Sequence, residues 1–163
     1  MVLQVERARQ VTPETVEGAL KALYGPGMFV ARSGLERSLI ELINLRASQI
    51  NGCAYCIDMH TKDARARGET EQRLYLLNTW RESPFYSERE RAALAWTEAV
   101  TLVADGHVPD AAYEEVRQSF TDDELVALTM AVITINGWNR LNVALRNVPG
   151  SYQPAASLVT GHA

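Results

Sequence analysis

Two cysteines and three histidines are all that this chain of 163 residues holds of those side chains. Both cysteines, Cys53 and Cys56, fall in one C-x-x-C. There is no second cysteine pair and no distant cysteine to close a tetrahedral zinc site; Cys53, Cys56 and His60 would supply three ligands, a half-site at most. Basic residues are also in deficit, 16 against 20 acidic ones, for a net charge of -4. No basic face or lysine and arginine cluster follows from that balance, so neither a nucleic-acid partner nor a membrane surface is expected. No apolar run is long enough to span a bilayer. The first residues, Met1 to Arg7, turn polar too soon for a secretory signal. The expected location is therefore a reducing cytoplasm, where a C-x-x-C pair is more often catalytic than a static staple. No flavin, haem or nucleotide motif is visible, so electrons must come from a partner.

What remains is an ordinary globular balance, 47% hydrophobic and 22% charged, in a chain long enough for one domain with a real core. The periodicity is helical throughout, which makes the fold class all-α. Residues 2–11 have no pattern and read as an arm. Thr12-Pro13 reads as N-cap and first helical residue, with Gly25-Pro26-Gly27 ending that helix. Gly68 is a stop in the left-handed position, and Thr70 caps a helix that ends near Trp80. Ser87 with Glu90, and Thr121 with Glu124, are capping boxes. The first opens a helix with Ala93, Trp96, Val100 and Val103 on one side; the second opens a long helix, apolar nearly all round. Tyr113, Val116 and Phe120 line a short helix between them. Ile135-Asn136-Gly137 echoes Ile50-Asn51-Gly52, a weak hint of an internal repeat. His107 lies in a loop and His162 in the tail; both read as surface residues. Residues 147–163 read as an extended tail able to wrap a neighbouring subunit.

The informative stretch is Glu41 to His60. Leu35, Leu39, Leu42, Ile43 and Ile50 give helical spacing, broken at Asn51-Gly52. A second helix is expected to start there, with Asn51 as N-cap and Cys53 in the first turn. Cys53, Cys56 and His60 then stand at i, i+3 and i+7 on one face. A thiol at a helix N-terminus meets free N–H groups and the positive end of the macrodipole, which favour the reactive thiolate. His60 can accept or relay a proton. Glu41 sits among apolar neighbours; it is either an exposed helix acid or a carboxylate in need of a partner. The joint pattern favours thiol redox chemistry over a zinc half-site or a structural disulfide, whose short loop would remove little chain entropy.

Glu-x11-Cys-x-x-Cys-x3-His, here Glu41, Cys53, Cys56 and His60, resembles the signature of the AhpD-like alkylhydroperoxidases of the carboxymuconolactone decarboxylase superfamily. The lead-in Ser48-Gln49-Ile50-Asn51-Gly52 and the segment Asn136-Gly137-Trp138-Asn139-Arg140 match as well. The likeness covers residues 14 to 146, which would be the core of a single AhpD-like domain spanning 1–163, a helical bundle of about six to eight helices. It implies a thiol-dependent peroxidase in which Cys56 attacks a hydroperoxide, Cys53 closes a redox-active Cys53–Cys56 disulfide, and Glu41 and His60 relay the proton. It implies a dithiol reductant such as a lipoyl-type one, no other cofactor and no metal, and a homo-oligomer, a trimer or hexamer. Some members carry a histidine between the cysteines where this chain has Tyr55, so a relay through that histidine does not carry over. The helix terminus argues instead for Cys53 as the more acidic thiol, in conflict with the order the resemblance implies. Rival readings are a generic disulfide oxidoreductase or redox-stress partner with weak peroxidase activity, a decarboxylase-like enzyme, which the dithiol counts against, and a zinc or interaction module. Any redox role also requires a path by which an oxidant reaches the sulfurs.

Overall fold

A computed structural model describes residue 9, residue 11 and residues 13–155. Among them are seven α-helices and no strand: α1 (Pro13–Arg32), α2 (Arg37–Asn51), α3 (Ala54–Ala66), α4 (Glu71–Leu76) with a 3₁₀ turn (Leu77–Thr79), α5 (Glu88–Thr101), α6 (Asp110–Arg117) and α7 (Asp122–Leu145). The all-α reading and the helix number stand. No helix in the described residues is long and apolar enough to cross a membrane. Most of the expected arm, the Thr12 cap and His162 lie outside the described residues; of the arm, the Arg9 N–H donates to the Leu145 carbonyl (3.0 Å).

α2 is the wall shared by two apolar clusters. Leu39, Ile40 and Ile43 face Trp96 of α5 and Leu128 and Val132 of α7. Leu42 and Leu45, about a third of a turn round, face Ala64, Leu77, Trp80 and Leu94. The two apolar faces of α2 leave strips between them that carry Glu41, Arg46 and Ser48, and polar residues set so deep need partners. Truncating any of these Leu or Ile side chains to Ala would cost about 2–5 kcal/mol.

Both capping boxes form as expected, on α5 and on α7. Arg89 then ties helix starts together. Its guanidinium donates to Glu36 at the head of α2 (2.9 Å) and to Glu124 at the head of α7 (2.7 Å), and lies 4.0 Å over the Phe120 ring. Gly68 holds φ +93° and stops α3 as read.

Three readings need correction. α1 does not end at Gly25-Pro26-Gly27 but runs through Pro26 to Arg32. A proline inside a helix costs about 3 kcal/mol in isolation. Here packing overrides it: Val30 is buried, Tyr24 rests on Trp138 with ring centroids 5.7 Å apart, and a Cβ on Gly137 would come within 3.2 Å of Leu23. That close approach also explains why Asn136-Gly137 does not break α7, so the echo of Asn51-Gly52 is not a structural repeat. Finally, α5 ends at Thr101, leaving Val103 beyond it and exposed, and α6 ends before Phe120.

Under α2, the carboxylate of Glu98 collects Arg46 (2.7 Å) and the Trp80 indole (2.9 Å) on one oxygen and Arg81 on the other. Burial alone would raise its pKa, but the three donors outweigh it and hold the group below its usual range. A depressed carboxylate adds stability above its unfolded pKa and loses it as pH falls through the folded value. Glu98→Gln should therefore cost about 2–3 kcal/mol at pH 7 and flatten the decline of the urea midpoint between pH 5 and pH 3. Parallel acid profiles for variant and parent would remove Glu98 from this account.

Candidate functional site

The corner between α2 and α3 is made by one glycine. Gly52 adopts φ +65°, ψ 32°, the left-handed conformation that ends a helix without Cβ strain. The Cys53 N–H then reaches back to the Ser48 carbonyl (3.0 Å). Asn51 is the last residue of α2 and not the cap of α3, contrary to the sequence reading. The cap is Cys53, whose sulfur accepts the Cys56 N–H at 3.4 Å. Cys53 is in the extended conformation a cap requires, so sulfur stands where serine or asparagine oxygen usually does. The two sulfurs are joined as a disulfide, with their Cα atoms 5.4 Å apart. In this oxidised form Cys53 is 1% and Cys56 0% exposed. The path to solvent that a redox role requires is closed. The covering layer is thin, because Gly52 and Ala54 on either side of Cys53 are exposed.

The corner is fastened to α7 by a buried polar seam. Asn136, Asn139 and Asn142 stand three residues apart on one side of that helix. Asn51 Nδ2 donates to the side-chain oxygens of Asn136 (3.0 Å) and Asn139 (2.9 Å). Asn139 Nδ2 donates to the Ser48 hydroxyl (2.9 Å), which donates to the Asn44 carbonyl (2.7 Å). Asn142 Nδ2 reaches the Cys56 sulfur at 3.4 Å. A single unmatched member of such a seam would cost about 1–3 kcal/mol, because each group has left water.

One turn further along the same face of α3 lies the acid, held by His60. Glu41 is neither exposed nor alone: its Oε2 meets His60 Nδ1 at 2.8 Å, with both side chains largely buried. Its Oε1 lies 3.8 Å from Arg67 Nε. A carboxylate on Nδ1 fixes that nitrogen as the donor, which leaves Nε2 as the basic atom of the neutral ring. That Nε2 is buried and has no hydrogen-bond partner among the described residues. A cavity of about 220 Å³, walled by Ser38, Glu41, Arg67 and Glu69, opens beside Glu41 and gives the carboxylate a route to water. The pair can thus take up a proton in the interior and release it outside.

Asp63, one turn past His60, was not singled out by the sequence. Burial raises its carboxyl above the usual range, and the nearby Glu41 charge adds to this against the hydrogen bond from Tyr152. The Tyr152 hydroxyl donates to both Asp63 oxygens (2.8 and 3.0 Å), and burial, then the Asp63 charge, pushes the phenol up to about 12. The described part of the tail therefore folds along its own α3: Lys62 Nζ donates to the Tyr152 carbonyl (3.0 Å), and the Gly150 N–H to Asp58 (3.0 Å). Glu41, His60 and Asp63 offer oxygen and nitrogen atoms within 4.8 Å of one another, close enough to share a cation, though each already has a protein partner. Cys53, Cys56 and His60, the three ligands read from the sequence, do not present a thiolate set while the sulfurs are bonded. Tyr55 is half-buried, and His107 lies on the surface as expected.

Glu41 and His60 are brought together, and so are Cys53 and Cys56. Asn139, Asn142, Asp63, Arg67 and Tyr152 were missed. Only the asparagines left a signal: three of them at steps of three in the second half of α7.

Residues 12–99 match the model of the carboxymuconolactone decarboxylase family. A Bacillus subtilis protein described as uncharacterized, YdfG, is 43% identical over 85% of this chain and 91% of its own length. A solved structure from Agrobacterium tumefaciens is 45% identical, covers 91% of this chain and 99% of its own, and superposes with a TM-score of 0.82; it is described as a protein of unknown function and a candidate antioxidant defence protein, AhpD. The debrominase Bmp8 shares the fold, with a TM-score of 0.75 over 85% of this chain and 74% of its own, at 19% identity.

The corner itself can be tested. A Cβ on Gly52 would meet nothing within 4 Å, so Gly52→Ala pays only for the left-handed backbone, about 1 kcal/mol. Chemical denaturation should show that loss, and Gly52→Asn a smaller one. A loss of several kcal/mol in the alanine variant would mean that the corner is held differently.

Proposed function

The chain belongs to the carboxymuconolactone decarboxylase family, on its AhpD-like side, and from that premise we propose that it is a thiol-dependent peroxidase acting on hydroperoxides. The observation that carries this reading is a C-x-x-C pair at the start of α3, followed one turn later by a histidine whose ring is set by Glu41.

In the reduced protein the Cys56 thiolate attacks the terminal oxygen of a hydroperoxide, R–O–OH. An S–O bond forms and the O–O bond breaks, giving Cys56–SOH and RO⁻. His60, with Glu41 behind it, has taken the thiol proton and returns one to RO⁻, releasing the alcohol. The Cys53 thiol then displaces water from the sulfenic acid and the disulfide forms. A dithiol reductant reopens it by two exchanges and leaves as its own disulfide. The peroxide has gained two electrons and the dithiol has lost them.

Burial of both sulfurs bears on the choice among rivals. A hydroperoxide group or a slender dithiol on an extended arm, of the lipoyl type, needs only the first turn of α3 to give way. Exchange with a folded protein's disulfide needs far more, which favours the peroxidase over a generic disulfide oxidoreductase. The fold shared with a debrominase carries no argument about substrate at 19% identity. Exposed Val126 and Ile133 on one face of α7, with Met28 and Phe29 on α1, support assembly as a homo-oligomer; a monomer by sedimentation at micromolar concentration would count against it.

The variants to make are Cys56→Ser, Cys53→Ser and Glu41→Gln. Cys56→Ser should abolish turnover of an alkyl hydroperoxide with a dithiol donor. Cys53→Ser should still consume one equivalent of peroxide and stop as a sulfenic acid that a dimedone-type probe captures. Glu41→Gln should slow turnover about 10²-fold or more and melt as a folded protein. Retained turnover in Cys56→Ser would end the proposal, and an unfolded Glu41→Gln would make Glu41 structural.

A further inference from the structure

Each sulfur of the pair has one N–H donor. That of Cys53 is a backbone amide at a helix terminus, the Cys56 N–H at 3.4 Å. That of Cys56 is the side-chain amide of Asn142, also at 3.4 Å, reaching in from α7. The helix terminus alone would make Cys53 the more acidic thiol. Asn142 is the group that works against that bias.

Its orientation is fixed on two sides. Asn142 Nδ2 also donates to the Trp138 carbonyl (2.9 Å), which can only accept. Asn142 Oδ1 accepts from Asn147 Nδ2 (2.6 Å). Turning the amide over would set oxygen against a carbonyl oxygen and NH₂ against an NH₂ group. One amide proton therefore points at Trp138 and the other at Cys56. Asn142 is buried while Asn147 is exposed, so the orienting partner lies just beyond α7, where the chain turns at Arg146 in the left-handed conformation. Cys56 is bonded to Cys53, and the side chain set against its sulfur from another helix is Asn142 of α7. The Asn142 amide is an uncharged donor at every pH, whereas the titratable side chain one turn beyond Cys56 on α3 is His60, paired with Glu41 of α2. A donor already aimed at a sulfur stabilises it most when that sulfur carries the charge.

We propose that Asn142 is a further catalytic residue, the donor that holds the negative charge on Cys56, and that Asn147 is the positioning residue that keeps its amide turned that way. The inference rests on the dithiol being redox-active, but not on hydroperoxide being the substrate.

The test reads each thiol alone. In a Cys53→Ser background, the thiolate absorbance near 240 nm and the iodoacetamide rate are followed against pH, with and without Asn142→Leu. The Cys56 pKa should rise by about one unit, a tenfold loss of thiolate at a pH below it. In a Cys56→Ser background, Asn142→Leu should leave Cys53 unchanged. Asn147→Ala, at an exposed position, should move Cys56 in the same direction by a smaller step, roughly threefold in alkylation rate. An unchanged Cys56 titration in a folded Asn142→Leu variant, or an equal shift at Cys53, overturns the proposal. If Asn142→Leu does not fold, an unchanged Cys56 in Asn147→Ala overturns it. None of these readouts uses a peroxide, so loss of the peroxidase reading would leave them standing.

Discussion

Asn139 is completely buried, and both ends of its amide are engaged by the α2–α3 corner. Everything chemical in this protein depends on that attachment. The corner turns in two residues, Gly52 and Cys53, and a turn so short has only one buried side chain, Cys53, with which to hold itself down. It is held by hydrogen bonds to the middle of α7, the helix that also closes the apolar core against α1, α2 and α5. Hydrogen bonds sealed from water are directional where apolar contacts are not, so the seam fixes the rotation of α3's first turn as well as its position. The sulfurs inherit that precision.

The acid and the thiols are held by different devices. Glu41 and His60 belong to neighbouring helices and meet across the α2–α3 contact, so their distance follows from how those helices pack. Cys53 and Cys56 sit in the corner, and their setting follows from the seam with α7. The two halves of the site join through α2, which carries Glu41 and ends in the corner, and through α3, which carries Cys56 and His60. One turn past His60 and beside the same acid, Asp63 receives Tyr152 from the tail, so α3 is gripped by the C-terminal segment as well as by α7. Burial raises the Asp63 carboxyl above its usual range, and burial together with the hydrogen bond to Asp63 pushes the Tyr152 phenol up to about 12, so the phenol stays a donor to that carboxylate.

Much of this was legible in the sequence, and the parts that were not share a cause. Capping boxes at Ser87 and Thr121 are local patterns with local physics, and they formed. In the motif Glu41–Cys53–Cys56–His60, helical spacing set Cys53 beside Cys56, whereas the meeting of Glu41 with His60 spans two helices and was implied only by the resemblance. The errors arose where a distant contact outweighed a local preference. Pro26 is a stop by its own chemistry, yet Val30 and the α7 interface carry α1 past it. Gly137 resembles a break, yet it is where Leu23 comes close. Asn51 is a good cap, but its side chain is needed on α7, and Cys53 takes its place. Asp63 and Tyr152 are far apart in sequence, and no pattern at either position announces the other. The burial of the sulfurs was equally invisible, since it depends on what α7 lays over them.

The start of α3 has a property that few helix ends possess. Its capping atom is Cys53 Sγ, which is also an atom that would change covalent state in any redox cycle. A sulfur in a disulfide is a weak acceptor, and a thiolate a strong one. Charge at that sulfur and the grip on the Cys56 amide are therefore linked. Any negative charge that comes to rest on Cys53 tightens the first turn, and the backbone there serves as its own gauge of where the charge lies.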